Sequence, residues 1–238
     1  MIKAIIFDFD GTLVDFIYTD LKCLKSIHSL LGLTVNFNEF SETAIYEIMK
    51  FHNLVDKGGI DPLLIHRFRL ENTLSKYDIT WKDKYLNFYI DTLIKLTKPY
   101  EGILELLKFL KPMVTIGLIS NAYDSKEQLA RIEHSGIGHF FDEILISGSF
   151  GFSKPSPEIF QGMLNRFQIG ADRAIFIGDS IKYDIQGAKS VGMKSILICQ
   201  NKDFISDKAY FSCNSISELS CFLSALITNQ IHQPDMTA

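Results

Sequence analysis

Polar side chains of one chemical theme follow four short apolar runs of this 238-residue sequence. They are Asp8, Asp10 and Thr12 after the first run, Ser120 and Asn121 after the second, Lys154 after the third, and Asp179, Ser180 and Asp184 after the fourth. If these groups met, three or four carboxylates would lie close together and repel one another. A divalent cation would relieve the repulsion, and an all-oxygen ligand set suits Mg²⁺ better than zinc. The sequence therefore predicts Mg²⁺ as a cofactor.

Each motif alone is weak evidence for a functional site. Whether the motifs meet depends on the secondary-structure elements between them. Apolar residues run almost continuously through 4–7, 114–119, 143–146, 174–177 and 195–198, as in strands buried on both faces. Between them, apolar residues return at helical spacing in 101–110, 125–134, 157–167 and 181–191. This alternation predicts an α/β fold with a Rossmann-like, doubly wound parallel sheet. Such sheets bind ligands outside the carboxyl ends of their strands, so one edge would gather all four motifs.

Residues 16–97 break the alternation, with helical patterns and no convincing strand. Apolar stripes recur there at helical spacing, and Asp61-Pro62 is a good helix start. The sequence predicts an α-helical cap domain at 16–97, inserted into a core domain formed by 1–15 and 98–238.

In type, order and spacing, the four motifs resemble those of the haloacid dehalogenase superfamily of phosphohydrolases. The motifs are Asp8-Phe-Asp10-Gly-Thr12, Ser120-Asn121, Lys154-Pro155, and Gly178-Asp179-Ser180 with Asp184. With the helical insertion, the resemblance covers nearly the whole chain. The insertion is similar to the helical cap of phosphoglycolate phosphatase-like members, and the stretches 116–121 and 144–160 resemble the pyrimidine nucleotidase-like branch. Because caps in this branch open and close over the site, hinges are expected within 15–18 and 97–100.

The resemblance implies a phosphatase that hydrolyses a small phosphate monoester through an aspartyl phosphate. Asp8 would be the nucleophile that attacks phosphorus in line. Asp10 would protonate the leaving alcohol in the first step and deprotonate water in the second. A nucleoside monophosphate or a sugar phosphate is the expected substrate class, and no residue chooses between them.

The resemblance also implies which groups hold the metal and the phosphoryl oxygens. Asp8, the main-chain carbonyl of Asp10, and Asp179 would contact the metal. Asp184 would be a further ligand or the neighbour that steadies Asp179. The phosphoryl oxygens would be held by Ser120, by the ammonium of Lys154 and by backbone N–H groups near Gly11 and Asn121.

Asp10 separates reactions within this superfamily. Members that expel halide or cleave C–P bonds generally lack an aspartate at this position, so its presence favours phosphate ester hydrolysis. A phosphomutase or dehalogenase of the same superfamily is the alternative. Outside the superfamily, a response-regulator-like signalling phosphoacceptor shares the core constellation, but such receivers are much shorter and have no need of inserted helices. A catalytically dead binding module is disfavoured because no key side chain is missing.

Five side chains of the insertion are conspicuous candidates for gripping a leaving group: His52, His66, Arg67, Arg69 and Trp81. Arg67 and Arg69 are two residues apart on a helix, so at most one is expected to point into the site. The simpler interpretation is that the charged residues are solvated and that Trp81 fills the small core of the cap. We therefore assign no catalytic role to a cap residue.

Charge and hydropathy limit the expected partners. The 24 basic and 28 acidic side chains give a formal net charge of −4, so no broad basic surface is expected for a nucleic-acid polymer. The longest apolar runs are far shorter than the roughly 20 residues needed to span a bilayer, so no membrane partner is expected. The apolar stretch at 4–7 is too short for a secretion signal, which predicts a cytoplasmic location. The expected partner is a small phosphate ester, and both a monomer and a homodimer stay open.

Overall fold

The strands form a parallel sheet with their carboxyl ends at one edge. The structure, a computed structural model, describes residues 1–200 and 206–231. Its strands are β1 (Ala4–Phe7), β2 (Thr115–Ser120), β3 (Glu143–Ile146), β4 (Ala174–Gly178), β5 (Lys194–Ile198) and β6 (Phe211–Cys213). They lie in the order β3-β2-β1-β4-β5-β6, and each pairing is parallel. The five predicted strands are confirmed, with ends that differ by at most one residue, and β6 is an addition.

Helices occupy most of the chain between the strands. They are α1 (Phe16–Leu30), α2 (Phe37–Asp56), α3 (Ile65–Ser75), α4 (Asp83–Leu96), α5 (Ile103–Leu110), α6 (Ser125–His134), α7 (Ser147–Phe150), α8 (Pro157–Phe167), α9 (Gln186–Ser190) and α10 (Ile216–Ile231). Short 3₁₀ turns lie at Pro62–Leu64, Gly138–Phe140 and Ala171–Arg173, and a π-helical turn lies at Ile181–Ile185. Within residues 1–200 and 206–231, no helix combines the length and apolar character needed to cross a membrane.

Helices cover both faces of the sheet, because successive side chains of a strand point to opposite sides. Ile5 and Phe7 of β1 lie in one apolar cluster with residues of α5, α6 and α10. Ala4 and Ile6 lie in a second apolar cluster with residues of α8 and α9. All four side chains of β1 are fully buried. The predicted Rossmann-like, doubly wound α/β fold is therefore confirmed.

The segment from α1 to α4 has an apolar cluster of its own. The cluster includes Leu24 of α1, Phe40 of α2, Leu70 of α3 and Tyr89 of α4, all fully buried. Its members return every three or four residues along each helix, so one stripe of each helix packs against the others. The predicted all-helical character of this segment is observed.

Two adjacent stretches connect this helical segment with the sheet. Val14 forms an isolated β-bridge with Pro99, so the chain enters and leaves the segment side by side. The side chain of Asp15 caps the first turn of α1 directly after that bridge. These positions agree with the boundaries predicted for residues 16–97, but the division into core and cap domains stays a prediction.

The start of α6 is fixed by a side-chain cap. Asp124 Oδ1 accepts hydrogen bonds from the backbone N–H groups of Lys126 at 2.9 Å and Glu127 at 3.2 Å. These are two of the donors that the first turn of a helix leaves without a partner. Fixing this turn also fixes Gln128 and Arg131, which follow on the buried side of α6.

Candidate active site

A lysine ammonium joins carboxylates from separate parts of the chain. Lys154 Nζ lies 2.5 Å from Asp8 Oδ1 and 2.7 Å from Asp184 Oδ1. Asp8 follows β1, Lys154 precedes α8 and Asp184 lies beyond β4, so the parallel strand ends bring them together. Burial alone would lower the pKa of Lys154, but attraction to Asp184 and Asp8 outweighs it and raises the pKa above its usual value. The lysine therefore stays charged inside the site.

Three carboxylates meet around this lysine. Asp8, Asp179 and Asp184 each offer an oxygen, and these oxygens lie within 4.8 Å of one another. Burial raises the pKa of Asp8 to about 8, with Lys154 opposing the shift and Asp184 adding to it. Asp179 is exposed overall, but its carboxylate faces the cluster, where desolvation and Asp184 raise its pKa to about 6. Three carboxylates against one ammonium form an oxygen-rich, negatively charged set that fits a hard divalent cation.

Asp184 is positioned by the chain just after β4. Its Oδ2 accepts from the backbone N–H of Ser180 at 2.9 Å, and the π-helical turn Ile181–Ile185 carries it back toward β4. A Cβ on Gly178 would lie 2.3 Å from the Asp184 carboxyl carbon, so the backbone at the end of β4 packs directly against this side chain. The sequence predicts one helix over 181–191, whereas the structure has this π-helical turn followed by α9. The wider π-helical turn places Asp184 in the site.

Asn121 holds Lys154 in place through the lysine backbone. Its Nδ2 donates to the Lys154 carbonyl at 2.9 Å, and its Oδ1 accepts from the Lys154 N–H at 2.8 Å. These paired hydrogen bonds join the loop after β2 to the loop before α8. The Asn121 side chain is thus occupied in positioning the lysine. Its backbone N–H remains the group that fits the predicted contact with a phosphoryl oxygen.

Two side chains of α6 contact Asp10, and sequence analysis singled out neither. Gln128 Nε2 donates to Asp10 Oδ2 at 2.9 Å and to Ser120 Oγ at 2.8 Å. Arg131 approaches both oxygens of Asp10, with Nη1 3.1 Å from Oδ2 and Nη2 2.5 Å from Oδ1. Helix α6 therefore ties the residue predicted as acid and base to the hydroxyl at the end of β2.

The sequence indicates only weakly that these two residues face the site. Gln128 and Arg131 are three positions apart and so share a face of α6. Few apolar residues mark which face of α6 packs inward: Ile132 is buried, whereas Leu129 is exposed. The pattern therefore did not distinguish a buried polar pair from an ordinary solvated one.

The turn after β1 brings its backbone against the Asp179 carboxylate. Gly11 has φ +87°, and a Cβ at this position would lie 2.4 Å from Asp179 Oδ2. In the same turn, Thr12 Oγ1 donates to Asp8 Oδ2 at 3.0 Å. With Lys154 on the other oxygen, both oxygens of Asp8 are engaged. Glycine meets both requirements at position 11: the left-handed conformation and the close approach.

Replacing Gly11 by alanine is expected to displace the Asp179 carboxylate and weaken binding of Mg²⁺ by about 10-fold or more, the usual range when a group that orients a metal ligand is lost. Gly32→Ala is the matched control, because Gly32 also has positive φ (+59°) but open space around it. Both variants carry the backbone strain of about 1–2 kcal/mol. Titration calorimetry with Mg²⁺ measures the difference, and equal affinities in the two variants would contradict the assigned contact.

Arg69, Arg67 and Trp81 of the helical segment have partners within that segment. Arg69 is 1% exposed and makes paired contacts with Asp20, Nη1 to Oδ1 at 2.8 Å and Nη2 to Oδ2 at 2.7 Å. Arg67 lies on a different, exposed face from Arg69, as their two-residue spacing predicts. It pairs with Glu71 at 3.2 Å. Trp81 is partly buried against the apolar cluster of the segment. The simpler interpretation holds for Arg67 and Trp81, whereas Arg69 is buried and paired instead of solvated.

Two histidines connect the helical segment with the sheet side of the molecule. His66 Nε2 lies 2.7 Å from Glu127 Oε2 of α6, and His52 Nδ1 lies 3.1 Å from the Tyr123 hydroxyl. Burial lowers the pKa of His52, which favours its neutral ring at pH 7. Both contacts cross from the helical segment to the chain that follows β2: His66 reaches α6, and His52 reaches the loop before it.

Comparison with known proteins shows the family to which the chain is similar. The sequence model of the family described as Haloacid dehalogenase-like hydrolase matches residues 5–198. Glyceraldehyde 3-phosphate phosphatase of Methanocaldococcus jannaschii is 30% identical over 92% of this chain and 96% of its own. Pyrimidine 5'-nucleotidase YjjG of Escherichia coli is 27% identical (75% and 83% covered), and phosphoglycolate phosphatase of Mesorhizobium japonicum is 29% identical (82% and 81% covered).

A solved structure has the same fold. The HAD-hydrolase YfnB of Bacillus subtilis superposes with a TM-score of 0.77 over 93% of this chain and 98% of its own, at 21% identity. The family match spans β1, β2 and β4, the strands at whose carboxyl ends Asp8, Ser120 and Asp179 lie. The chain therefore belongs to the haloacid dehalogenase-like hydrolase family.

Proposed function

We propose that this protein is a Mg²⁺-dependent phosphatase that hydrolyses a small phosphate monoester through an aspartyl phosphate on Asp8. The observation that carries the proposal is the meeting of Asp8, Lys154, Asp179 and Asp184 at the carboxyl ends of β1 and β4. The relatives named as phosphatases and as a nucleotidase support the same class of reaction.

The reaction divides into two displacements. In the first, an Asp8 carboxylate oxygen attacks phosphorus, the bond from phosphorus to the ester oxygen breaks, and the proton of Asp10 goes to the leaving alkoxide. In the second, water attacks the aspartyl phosphate, Asp10 takes the proton of water, and the bond from phosphorus to Asp8 breaks. The products are the alcohol and inorganic phosphate, and Asp10 regains the proton that it gave.

The ligands proposed for Mg²⁺ are the carboxylates of Asp8, Asp179 and Asp184 and the main-chain carbonyl of Asp10. The cluster of three carboxylates fits a divalent cation by its charge and by its oxygen atoms. When bound, Mg²⁺ would offset the negative charge of the cluster and of the phosphoryl group. For the phosphoryl oxygens we propose Ser120, Lys154 and the backbone N–H of Asn121.

The helical segment at 16–97 is proposed to act as a cap domain over a core of 1–15 and 98–238. A cavity of about 370 Å³ is lined by Asp61–Leu63 of the helical segment and, on the core side, by residues that follow β2 and residues of α7 and the loop after it: Ala122, Tyr123, Ser147, Gly148, Gly151, Phe152 and Ser153. This volume suits a small-molecule ligand. The contacts of His52 and His66 across the boundary would hold the cap against the core, which excludes water during transfer. A cytoplasmic location stays a prediction.

A panel of phosphate esters tests the function. Glyceraldehyde 3-phosphate, phosphoglycolate and pyrimidine nucleoside monophosphates, the substrates named for relatives, are expected to release inorganic phosphate with Mg²⁺ over many turnovers. A dehalogenase would instead release halide from haloacids, and a mutase would give an isomeric phosphate ester. A signalling phosphoacceptor would accumulate one stable phosphoryl group per chain. Any of these three results without phosphate release would contradict the proposal.

A further inference from the structure

Arg131 is a buried cation with a complete set of partners at the edge of the proposed site. Its side chain is 2% exposed, and its guanidinium contacts both oxygens of Asp10. The remaining contacts are Nη1 to Gln128 Oε1 at 2.8 Å and Nε to Thr97 Oγ1 at 3.2 Å. Burying a charged group is costly unless it is paired and hydrogen-bonded, and every nitrogen of this guanidinium has a partner.

The surroundings of Arg131 restrict its orientation as well as its charge. The guanidinium carbon lies 5.0 Å from the ring centre of Phe16 and 5.5 Å from that of Phe9. A planar guanidinium packed near two aromatic rings has little freedom to rotate, and a bidentate contact transfers that restriction to the partner carboxylate. Asp10 therefore has a fixed carboxylate plane, although 25% of its side chain is open to solvent.

Gln128 extends the same restriction to a second catalytic group. Its amide nitrogen donates to Asp10 and to the Ser120 hydroxyl, and its amide oxygen accepts from Arg131. One buried amide thus sets the position of Asp10 relative to Ser120, which is proposed to bind a phosphoryl oxygen. Gln128 is 2% exposed, so water does not compete for these contacts.

We infer that Arg131, with Gln128 beside it, is a positioning residue that holds the Asp10 carboxyl group at the leaving-group oxygen and then at the attacking water. The inference rests on the proposed function, since it assigns to Asp10 the two proton transfers described above. In the first step the proton of Asp10 passes to the leaving alkoxide. In the second, the carboxylate fixed by Arg131 accepts a proton from water.

If Arg131 positions the acid Asp10, the rate lost on removing Arg131 depends on how basic the leaving group is. A purely structural role would give no such dependence. An alkoxide is a strong base and needs protonation as it leaves, whereas 4-nitrophenolate leaves without an acid. In Arg131→Met, the single-turnover rate with an alkyl phosphate that the wild type turns over is expected to fall by about 100-fold, the lower end of the usual effect of a general acid. With 4-nitrophenyl phosphate it is expected to fall by less than about 5-fold.

A pre-steady-state burst of nitrophenolate is the second measurement. Hydrolysis of the aspartyl phosphate still needs the base, so Arg131→Met is expected to release one equivalent of nitrophenolate per enzyme quickly and then to turn over slowly. Stopped-flow absorbance measures this directly. Arg69→Met is the matched control, because Arg69 is equally buried and makes the same paired contact with Asp20. It is expected to lower stability without a leaving-group dependence.

Three further variants keep the inference testable if Arg131→Met does not fold. Arg131→Lys keeps the charge without the planar fork, and Gln128→Met removes the amide; both are expected to show the same leaving-group dependence with a smaller amplitude. In an Asp10→Asn background, Arg131→Lys is expected to have no further effect on either rate. Equal losses with both substrates, or no loss, would overturn the inference, whereas a wild type with no phosphatase activity would overturn the proposed function.

Discussion

Replacing Asp8 by asparagine is expected to lower kcat for every phosphate ester by at least about 10⁴-fold, the scale of effect seen when a nucleophile is removed. An amide oxygen does not displace an alkoxide from phosphorus, so the covalent route closes. The substitution also removes a carboxylate from its 2.5 Å contact with Lys154 and from the cluster proposed to hold Mg²⁺. Steady-state kinetics with 4-nitrophenyl phosphate and Mg²⁺ measures the loss.

The same variant is expected to stay folded, because the ionised Asp8 carboxylate disfavours the folded state. Burial raises the pKa of Asp8 to about 8, against a usual value of 3.8. Between these values the folded protein binds more protons than the unfolded chain, so the stability contributed by this group falls as pH rises. Asparagine does not ionise. Without metal, the melting temperature of the variant is therefore expected to fall less than that of the wild type when pH is raised from about 5 to about 8.

A matched control separates chemistry from a general loss of charge. Asp172 is exposed in the 3₁₀ turn at the amino end of β4, at the opposite end of that strand from Asp179. Asp172→Asn is expected to leave kcat unchanged. Activity above about one per cent of the wild type in Asp8→Asn would contradict the nucleophile assignment.

The buried strands could be predicted because their physical requirement is visible in the sequence. A strand covered on both faces needs apolar residues throughout, and the run at 4–7 matches β1 residue for residue. Strand β6 lacked this signal: it has three residues, two of them only half-buried, at the edge of the sheet. Edge strands of this length carry too few apolar positions to stand out from a loop.

The carboxylate cluster could be predicted from the sequence because of the topology of a parallel sheet. Parallel strands deliver their carboxyl ends to one edge, so residues as distant as Asp8 and Asp184 could be expected to meet. Contacts made by side chains of helices were harder to predict from the sequence. Arg131 lies 121 positions from Asp10 in the sequence, and its orientation depends on the rotation of α6 about its axis. That rotation is set by tertiary packing, which the sparse apolar residues of α6 did not reveal.

Asn121 and Arg69 show the same limit at single residues. Asn121 directly follows β2, as the sequence predicts, but its side chain bonds the Lys154 backbone, a partner 33 positions away. Arg69 was expected to be solvated, yet it is buried with Asp20 and Tyr89. Sequence spacing shows which residues share a face, but it does not show which distant partner that face meets.

Chelation of divalent metal is expected to abolish turnover and to lower the melting temperature, and added Mg²⁺ is expected to restore both. The cation would relieve the repulsion among Asp8, Asp179 and Asp184, whose oxygens lie within 4.8 Å of one another. A ligand that binds only the folded state at 100 times its Kd stabilises it by about 2.7 kcal/mol. For a chain of this size that corresponds to a rise of about 5–10 °C, which differential scanning fluorimetry detects without any assay of activity.

Asp179→Asn is expected to remove most of this Mg²⁺-dependent rise, and the rise in the wild type is expected to grow with pH. Protons compete with the metal, because desolvation raises the pKa of Asp179 to about 6 and that of Asp8 to about 8. At pH 6 both carboxylates are protonated to a large extent, whereas at pH 8 Asp179 is ionised and Asp8 is half-ionised. Binding at pH 7 is therefore expected to release protons, which titration calorimetry in buffers of different ionisation enthalpy measures. An equal rise in Asp179→Asn and Asp172→Asn, or one that shrinks as pH increases, would contradict the metal assignment, because only ionised carboxylates of this cluster attract the cation.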